Sequence, residues 1–462
     1  MLERICARLS ATMRQLADSR AEKVGCTRFF RNDSVTVEEI VQTAAARTAQ
    51  AAAGRDVLLI EDTSEINYQA KVARKRELGR VGNGTDAGLF VHPVLAVDAG
   101  DGTVLGLAGA LVLRPTKGKQ ANYQSLPIET KESYRWIAAP KTAQAIMAVA
   151  SRVTVIADRE ADIYELFARF PGEGADMLVR ATHDRALADK GRLFAEVAAL
   201  DEAGRLDFEM PARPGRPARH VTLAVRFAPV TLAQPRRGAS SQDPESVALH
   251  LVEVREIDPP SAKEAVLWRL LTTHAIASFA DAAHMVGLYR RRWSIEQLFR
   301  TLKSQGIDLE ESLLADGDAL ERLAAASLVA ATKVMQLVQA RDEAGHNLEA
   351  ARVFDPAEIT FLHALIPTLE GKTAKQKNSH PPDTLAWAAW CIARLGGRTG
   401  YSTERPPGPI TFVHGLKQFH AMARGFAIAT TQKSKKRCVR TLALKGAGLD
   451  KNQQRPGACG GL

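Results

Sequence analysis

The sequence predicts an α/β fold: a mixed sheet with helices on its faces, extended by an antiparallel β insertion and flanked by helical regions. Three observations predict this class. Between residues 55 and 200, short apolar segments alternate with segments of helical spacing. From about residue 200 to 272, strand-like alternation recurs between loops rich in proline and glycine. In the first 54 residues and from residue 277 onward, apolar residues recur every three or four positions, which is typical of amphipathic helices.

The composition narrows the class of protein. The chain has 462 residues, of which 45% are apolar and 25% charged, as in a soluble globular protein. We therefore exclude a disordered, fibrous or membrane-embedded protein. The five cysteines never form a C-x-x-C pair, so we expect neither a disulfide framework nor a zinc site. Residues 1–11 lack an apolar signal segment, so we expect a cytoplasmic protein. The net charge of +10 favours nucleic acid over a membrane as partner.

The predicted elements follow one another in an order that requires a mixed sheet. Two N-terminal helices are predicted over 1–18 and 35–53, the second with a capping box of Thr36 and Glu39. After them the order is β-β-β-α-β-α-β. The strands are predicted at 57–60, 89–97, 103–112, 153–157 and 177–180, and the intervening helices at 131–150 and 160–170.

Two aspartates follow apolar strands. Asp62 ends the first predicted strand and Asp158 the fourth. In open α/β sheets the carboxyl ends of the strands are where ligands and metals bind. A single acid there would mean little, because chains often emerge into water at that point. Two acids on strands that would be neighbours, in a basic protein, indicate a site.

The segment 289–303, YRRRWSIEQLFRTLK, is the most informative part of the chain. Read as one helix at 100° per residue, it brings five polar residues into an arc of about 80°. They are Tyr289, Arg292, Glu296, Arg300 and Lys303. The simpler interpretation is a solvated face with i,i+4 ion pairs. Four groups suited to phosphate contact around one acid favour a DNA-binding face instead.

Three carboxylates in a basic setting suit metal-assisted phosphoryl transfer. Asp62, Asp158 and Glu296 would supply hard oxygen ligands, which select Mg²⁺, with Mn²⁺ as a substitute. Two such ions ~3.5–4 Å apart could activate the attacking oxygen and stabilise the leaving one.

These motifs resemble the DDE transposases of bacterial insertion sequences, in the branch that forms DNA hairpins. That branch carries Y-x2-R-x3-E-x6-K, which Tyr289, Arg292, Glu296 and Lys303 match without gaps. The family's E-D-T segment is matched at 61–63 and its D-R-E-A-D segment at 158–162. The resemblance covers roughly residues 27–430.

Further residues are assigned only through this resemblance. It implies a ribonuclease H-like catalytic core in which Asp62, Asp158 and Glu296 bind two metal ions. It also implies that Tyr289, Arg292 and Lys303 grip the phosphates and the displaced nucleotide. By spacing, Arg180 aligns with a family arginine near the active site, and Trp268 with a tryptophan that stacks on a flipped-out base. Arg300 stands where a lysine is common in the family, which keeps the charge but changes the geometry.

The resemblance also divides the chain into regions. Residues 1–54 would be a helical DNA-binding region, shortened relative to the family, and 55–341 the catalytic core with the β insertion at about 200–272. Residues 342–432 would form a helical dimerisation domain, to which 385–387 and 392–397 contribute. Residues 433–462 would be a basic, disordered tail.

The expected function is cut-and-paste DNA transposition by a homodimer acting on double-stranded DNA, at the transposon's inverted-repeat ends and at a target. Hydrolysis at the ends, hairpin formation and resolution, and strand transfer would share one site. Two alternatives remain open: a truncated, inactive or inhibitory homologue that acts by dimerisation, and a metal-dependent nuclease without strand transfer. Localisation in the bacterial cytoplasm, at the nucleoid when bound to DNA, is expected.

Overall fold

The structure is a computed structural model that describes residues 2–446, apart from a set of short gaps. The gaps are residues 83, 116–125, 171–173, 211–216, 237–239, 241, 262–263, 342–347, 401–403 and 405.

The N-terminal region consists of four helices. They are α1 (Leu2–Arg8), α2 (Met13–Leu16), α3 (Arg20–Phe30) and α4 (Val37–Ala52). The helix predicted over 1–18 is therefore divided, and Leu9 has a positive φ of 41° at the break. The capping box predicted from Thr36 and Glu39 is confirmed, because each side chain accepts a hydrogen bond from the other's backbone N–H.

Eleven strands of the described residues form one sheet. They are β1 (Asp56–Glu61), β2 (Ser64–Asn67), β3 (Gly79–Val81), β4 (Asp86–Asp98), β5 (Val104–Leu113), β6 (Arg152–Ala157), β7 (Asp176–Arg180), β8 (Gly204–Met210), β9 (Arg219–Ala233), β10 (Ser246–Glu256) and β11 (Leu267–Thr272).

The core of the sheet has the predicted mixed topology. Its order is β5-β4-β1-β6-β7; β5, β4 and β1 are antiparallel neighbours, whereas β1, β6 and β7 run parallel. This is the arrangement expected of a ribonuclease H-like core, so the predicted fold class is confirmed. Strands β2 and β3, which were not predicted, are short and pair with the far end of β4.

The β insertion continues this sheet. Strand β11 pairs antiparallel with β7, and β10, β9 and β8 follow in order at the other side of β11. The predicted antiparallel insertion is thus part of the same sheet as the core, and it fixes Trp268 on β11 beside the end of β7.

Helices cover both faces of the sheet. On one face pack α5 (Arg135–Ile146), α6 (Tyr164–Arg169) and α7 (Leu193–Ala198). On the other pack α1 to α3 and the later helices α8 (Phe279–Arg290), α9 (Trp293–Lys303), α10 (Gly317–Ala340), α11 (Pro356–Leu369), α12 (Leu385–Leu395) and α13 (Pro409–Gly446). Side chains of β1 therefore alternate between the two faces. Leu58 and Ile60 face the layer with α8 to α13, and Val57 and Leu59 face the layer with α5 to α7.

Two C-terminal helices bear on the predictions. Helix α10 is long and apolar enough to span a membrane, but 78% of its most apolar window is buried inside the protein, as in the core helix of a globular fold.

Residues 433–446, predicted to be disordered, instead continue the backbone of α13, because the run from 433 contains neither proline nor an interrupting glycine before Gly446. Residues 447–462 of the predicted tail lie outside the described residues.

Candidate active site

The first carboxylate of the site lies where the strand pairing along β4 is interrupted. Strands β1 and β2 pair with β4 in one continuous register, which places Pro93 opposite Asp62. Proline has no backbone N–H to donate, so the ladder breaks at this point. The carboxylate of Asp62 accepts a hydrogen bond from the backbone N–H of Thr63 at 2.7 Å.

The second carboxylate lies on the neighbouring parallel strand. Strand β6 pairs with β1 so that Ile60 stands opposite Ile156, and two residues further along, the same register brings Asp158 beside Asp62. Strands in a sheet are about 4.8 Å apart. Asp158 also accepts a hydrogen bond from the backbone N–H of Glu160 at 2.8 Å, which begins a short 3-10 turn. The prediction that both aspartates follow neighbouring strands is therefore confirmed.

The third carboxylate reaches this edge through an arginine. The guanidinium of Arg292 donates one hydrogen bond to Asp62 Oδ2 at 2.8 Å and another to Glu296 Oε1 at 3.2 Å. The side chain of Arg292 is only 11% exposed. Charge-assisted hydrogen bonds in such a setting are stronger than those between neutral groups. Arg292 thus joins the start of α9 to the end of β1.

The electrostatics of the site reflect the closeness of two acids. Burial and the neighbouring charge of Asp158 raise the pKa of Asp62 to about 7, although Arg292 acts in the opposite direction. Asp62 therefore changes charge near neutral pH, unlike an ordinary surface aspartate.

The three carboxylates do not converge on one point. Among the described residues, no three Asp, Glu, His or Cys side chains lie close enough together to hold a metal ion in common. Asp62 and Glu296 both contact Arg292. The predicted triad is thus assembled as an aspartate pair and a glutamate joined to it by a cation.

Tyr289, Trp268 and Arg180 adjoin the carboxylates on the side of the β insertion. Tyr289 is buried and its ring contacts that of Trp268, with centroids 5.3 Å apart. Burial raises the pKa of Tyr289, and the charges of Arg292 and Arg180 oppose that shift. Arg180 itself donates to the backbone carbonyl of Leu267 at 3.0 Å. The structure thus brings these three predicted residues into one neighbourhood.

The other two predicted cations lie further along α9. Lys303 donates to the backbone carbonyl of Glu65 at 2.8 Å and stands 3.7 Å from the carboxylate of Glu310. Lys303 therefore flanks the aspartate edge on the side of β2 rather than contacting it. Arg300 is exposed.

The interpretation of 289–303 as one helix is wrong in one respect. Helix α8 ends at Arg290 and α9 begins at Trp293, so Tyr289 and Glu296 belong to different helices. The backbone between them makes tight i→i−3 hydrogen bonds, including Arg291 N–H to Leu288. The guanidinium of Arg291 explains the turn, because it donates to the backbone carbonyls of Asp98, Ala99 and Gly100 in the β4–β5 connection.

A polar network beneath Asp62 was not predicted from the sequence. Arg135, at the start of α5, donates from Nε to Thr63 Oγ1 at 2.9 Å and reaches Glu160 at 3.4 Å. It thereby connects the segments that follow β1 and β6. Thr63 in turn bonds to the fully buried His92, whose pKa burial lowers to about 3. The adjacency of Thr63 to Asp62 was a signal for part of this network, whereas nothing in the sequence marked Arg135.

Fold and site together define an α/β protein with a ribonuclease H-like core whose acidic strand edge is bridged by an arginine. Residues 137–332 match the family model described as "Transposase DDE domain". The match includes Asp158 and Glu296 and begins after Asp62.

Among solved structures, the chain is similar to a piggyBac transposase synaptic complex with hairpin DNA. The identity is 9% and the TM-score 0.32, with 89% of this chain covered. The chain spans 61% of the length of that protein.

Proposed function

We propose that this chain is a cut-and-paste DNA transposase of the hairpin-forming type. One observation carries the proposal: Arg292 bridges Asp62 and Glu296 beside Asp158 at the ends of two parallel strands. The transposase DDE domain matched at residues 137–332 supports the same class of activity.

The chemistry of the donor set suits divalent metal ions, although the three carboxylates do not converge on one point among the described residues. Burial and the charge of Asp158 together raise the pKa of Asp62 to about 7, and a cation between the two carboxylates would relieve their repulsion. Asp62, Asp158 and Glu296 would hold two Mg²⁺ ions, or Mn²⁺ in their place, since carboxylate oxygens suit these metals. When bound, the ions would supply a polarised water and charge stabilisation at the leaving oxygen.

The cations around the carboxylates would hold the DNA. Arg292 would exchange part of its carboxylate contacts for a backbone phosphate, for which its planar fork is suited. Lys303, Arg300 and Arg180 would contact further phosphates, and Tyr289 would position the strand beside Asp158. Trp268 would stack on a base displaced from the duplex, since its partly buried ring packs on one side against Tyr289.

The reaction would proceed through four in-line displacements at phosphorus. Water first cleaves one strand at the transposon end and releases a 3′-hydroxyl. That hydroxyl attacks the opposite strand and forms a hairpin, which a second water opens. The same hydroxyl then attacks target DNA. The chain's own contribution is to hold each phosphodiester in line and to stabilise its charge.

The assembly would be a homodimer on double-stranded DNA. The exposed apolar side chains of α13, including Ile410, Met422 and Ile428, offer contact surface for a second copy. Helix α12 is almost entirely buried within the monomer and offers little. The bacterial cytoplasm, with the nucleoid as the DNA-bound location, is consistent with the free, buried thiols of Cys26 and Cys391.

The test uses end-labelled duplexes made from the inverted repeats that flank the reading frame, analysed on a denaturing gel. The wild-type protein with Mg²⁺ should give nicked and hairpin products. Trp268→Ala should keep nicking and lose hairpins, because no ring remains to hold the unstacked base, whereas Trp268→Phe should restore part of the hairpin product. Nicked products without hairpins from the wild type would indicate a plain nuclease, and early melting of Trp268→Ala would assign that residue a packing role.

A further inference from the structure

The C-terminal helical region contains a pocket of about 240 Å³ between α12 and the segment 374–380. Its lining is strongly cationic. Five basic side chains line it: Arg341, Lys375, Lys377, Arg394 and Arg398. No aspartate or glutamate of the described residues is part of the lining. The elements that form this pocket contribute no residue to the candidate active site.

One wall of the pocket is held rigidly. The guanidinium of Arg394 lies 5.6 Å from the centre of the Trp390 ring and donates to the backbone carbonyls of Arg398 and Leu369, each at 3.2 Å. The backbone carbonyls accept hydrogen bonds from Arg394 but, being uncharged, do not neutralise its positive charge. The pocket therefore presents a fixed cation next to an aromatic surface.

Two acids near the pocket are engaged elsewhere, and a third, Glu404, faces only Arg398 among the lining cations. Glu370 accepts a hydrogen bond from the backbone N–H of Asn378 at 3.0 Å, and Asp383 bonds to His363 at 2.8 Å. Glu404 lies near Arg398, which helps to lower the pKa of that carboxyl, although hydrogen bonds from Thr399 are the larger cause.

The two lysines are the uncompensated charges. Lys375 and Lys377 are exposed, and neither forms an ion pair with any residue that the structure describes. Because no described acid pairs with these two lysines, the cluster has an electrostatic preference for an external anion. Lysine contacts a phosphate as a flexible point charge, whereas Arg398 could add directional donors.

We infer that this pocket binds a backbone phosphate of DNA and forms a second DNA contact, separate from the active site. The choice of DNA rests on the proposed function. The size of the pocket suits a phosphate with part of its sugar, and the Trp390 ring offers an apolar surface to the latter. The contact would lengthen the footprint of the protein on DNA beyond the cleaved end.

The experiment measures the salt dependence of DNA affinity by fluorescence anisotropy, with a mixed-sequence duplex and full-length protein. Lys375→Ala/Lys377→Ala should reduce the slope of log affinity against log salt concentration by about one, since the pocket holds one phosphate and each phosphate contact contributes about 0.9. Lys372→Ala is the matched control: an exposed lysine two residues before this segment that does not line the pocket. Its slope should equal that of the wild type.

An unchanged slope in the double variant would overturn the inference, and so would an equal fall in the slope of Lys372→Ala, which would indicate long-range charge alone. A thermal melt with inorganic phosphate separates the two sources of the anion. Stabilisation of the wild type but not of the double variant, with no change in DNA slope, would make the pocket a small-anion site. Absence of nicking by the wild type would refute the proposed function while leaving these binding results interpretable.

Discussion

Arg292 is the residue through which the parts of the candidate site contact one another. Its two hydrogen bonds span β1 and α9, and it also stands close enough to Asp158 and Tyr289 to interact with both electrostatically. An arginine between acids can offset their repulsion, and the same fork can bind phosphate. We expect its removal to affect both DNA affinity and the ionisation of Asp62.

The first prediction concerns DNA binding by α9. Arg292→Ala and Lys303→Ala should each lower the log–log salt slope of DNA binding by roughly one, because each removes about one phosphate contact. Arg292→Lys should keep the salt slope, because the positive charge remains. It should not bridge Asp62 and Glu296, because lysine lacks the planar fork of arginine. If both alanine variants keep the wild-type slope, this face carries ion pairs and not phosphate contacts.

The second prediction concerns the pH dependence of stability without metal. Because the pKa of Asp62 is about 7 in the folded state and the group's ordinary value is 3.8, the folded protein binds this proton more tightly than the unfolded chain. Its contribution to stability is therefore favourable below pH ~4 and is lost as the pH rises to about 7. In EDTA, Asp62→Asn should thus have a higher melting temperature than the wild type at pH 8. The increase should be much smaller at pH 4.5. An equal gain at the two pH values would contradict the raised pKa.

Individual residues were predicted unevenly. Asp62 and Asp158 were found because a hydrophobic strand followed by an acid is a local pattern, and parallel strands then bring the two together. Arg135 was not found, because it contacts Thr63 across a sequence separation of 72 residues and no local sequence pattern indicates such a contact. The bridging of Asp62 by Arg292 was missed for the same reason, at a separation of 230 residues.

At the level of elements, the turn between α8 and α9 sets the direction of α9, the helix that carries Glu296. Arg291 anchors it to the β4–β5 connection through three backbone carbonyls. Periodicity alone predicted a continuous helix, because a tight 3-10 turn preserves nearly the same spacing of apolar residues. The two short strands β2 and β3 escaped prediction because they contain too few residues for an alternating pattern.

The third prediction follows from this anchor. Arg291→Ala should lower the free energy of unfolding by about 1.5–3 kcal/mol, since hydrogen bonds from a charged donor to three carbonyls are lost. Urea denaturation measures this. Arg300→Ala, on the exposed face of α9, should change the stability by less than about 0.5 kcal/mol. Equal effects of the two substitutions would mean that the anchor does not stabilise the turn.

Across the whole molecule, one core connects regions that the sequence separates. The buried cluster on one face of the sheet extends from Ile5 in α1 to Phe419 in α13 and includes most of α10. The insertion shares the sheet with the ribonuclease H-like core through β7 and β11. Region boundaries at 54 and 341 were placed at changes of sequence pattern, and such changes do not reveal packing across them.

The fourth prediction is that the described regions unfold together. Urea unfolding followed by circular dichroism and by tryptophan fluorescence should give coincident transitions. Leu328 lies in the fully buried part of α10. Leu328→Ala should lower the free energy of unfolding measured by both signals by about 2–5 kcal/mol. Two separated transitions, only one of which moves in Leu328→Ala, would show that the helical C-terminal region folds independently.

The central claim is that Asp62, Asp158 and Glu296 act together in metal-dependent DNA cleavage, and nicking of an end-labelled duplex tests it most directly. Each of the three alanine variants should bind DNA yet lose Mg²⁺-dependent nicking. Asp101→Ala, which alters an exposed acid in the β4–β5 turn, should cleave like the wild type. Nicking at near wild-type rate by any of the three variants would remove that carboxylate from the site and contradict the account.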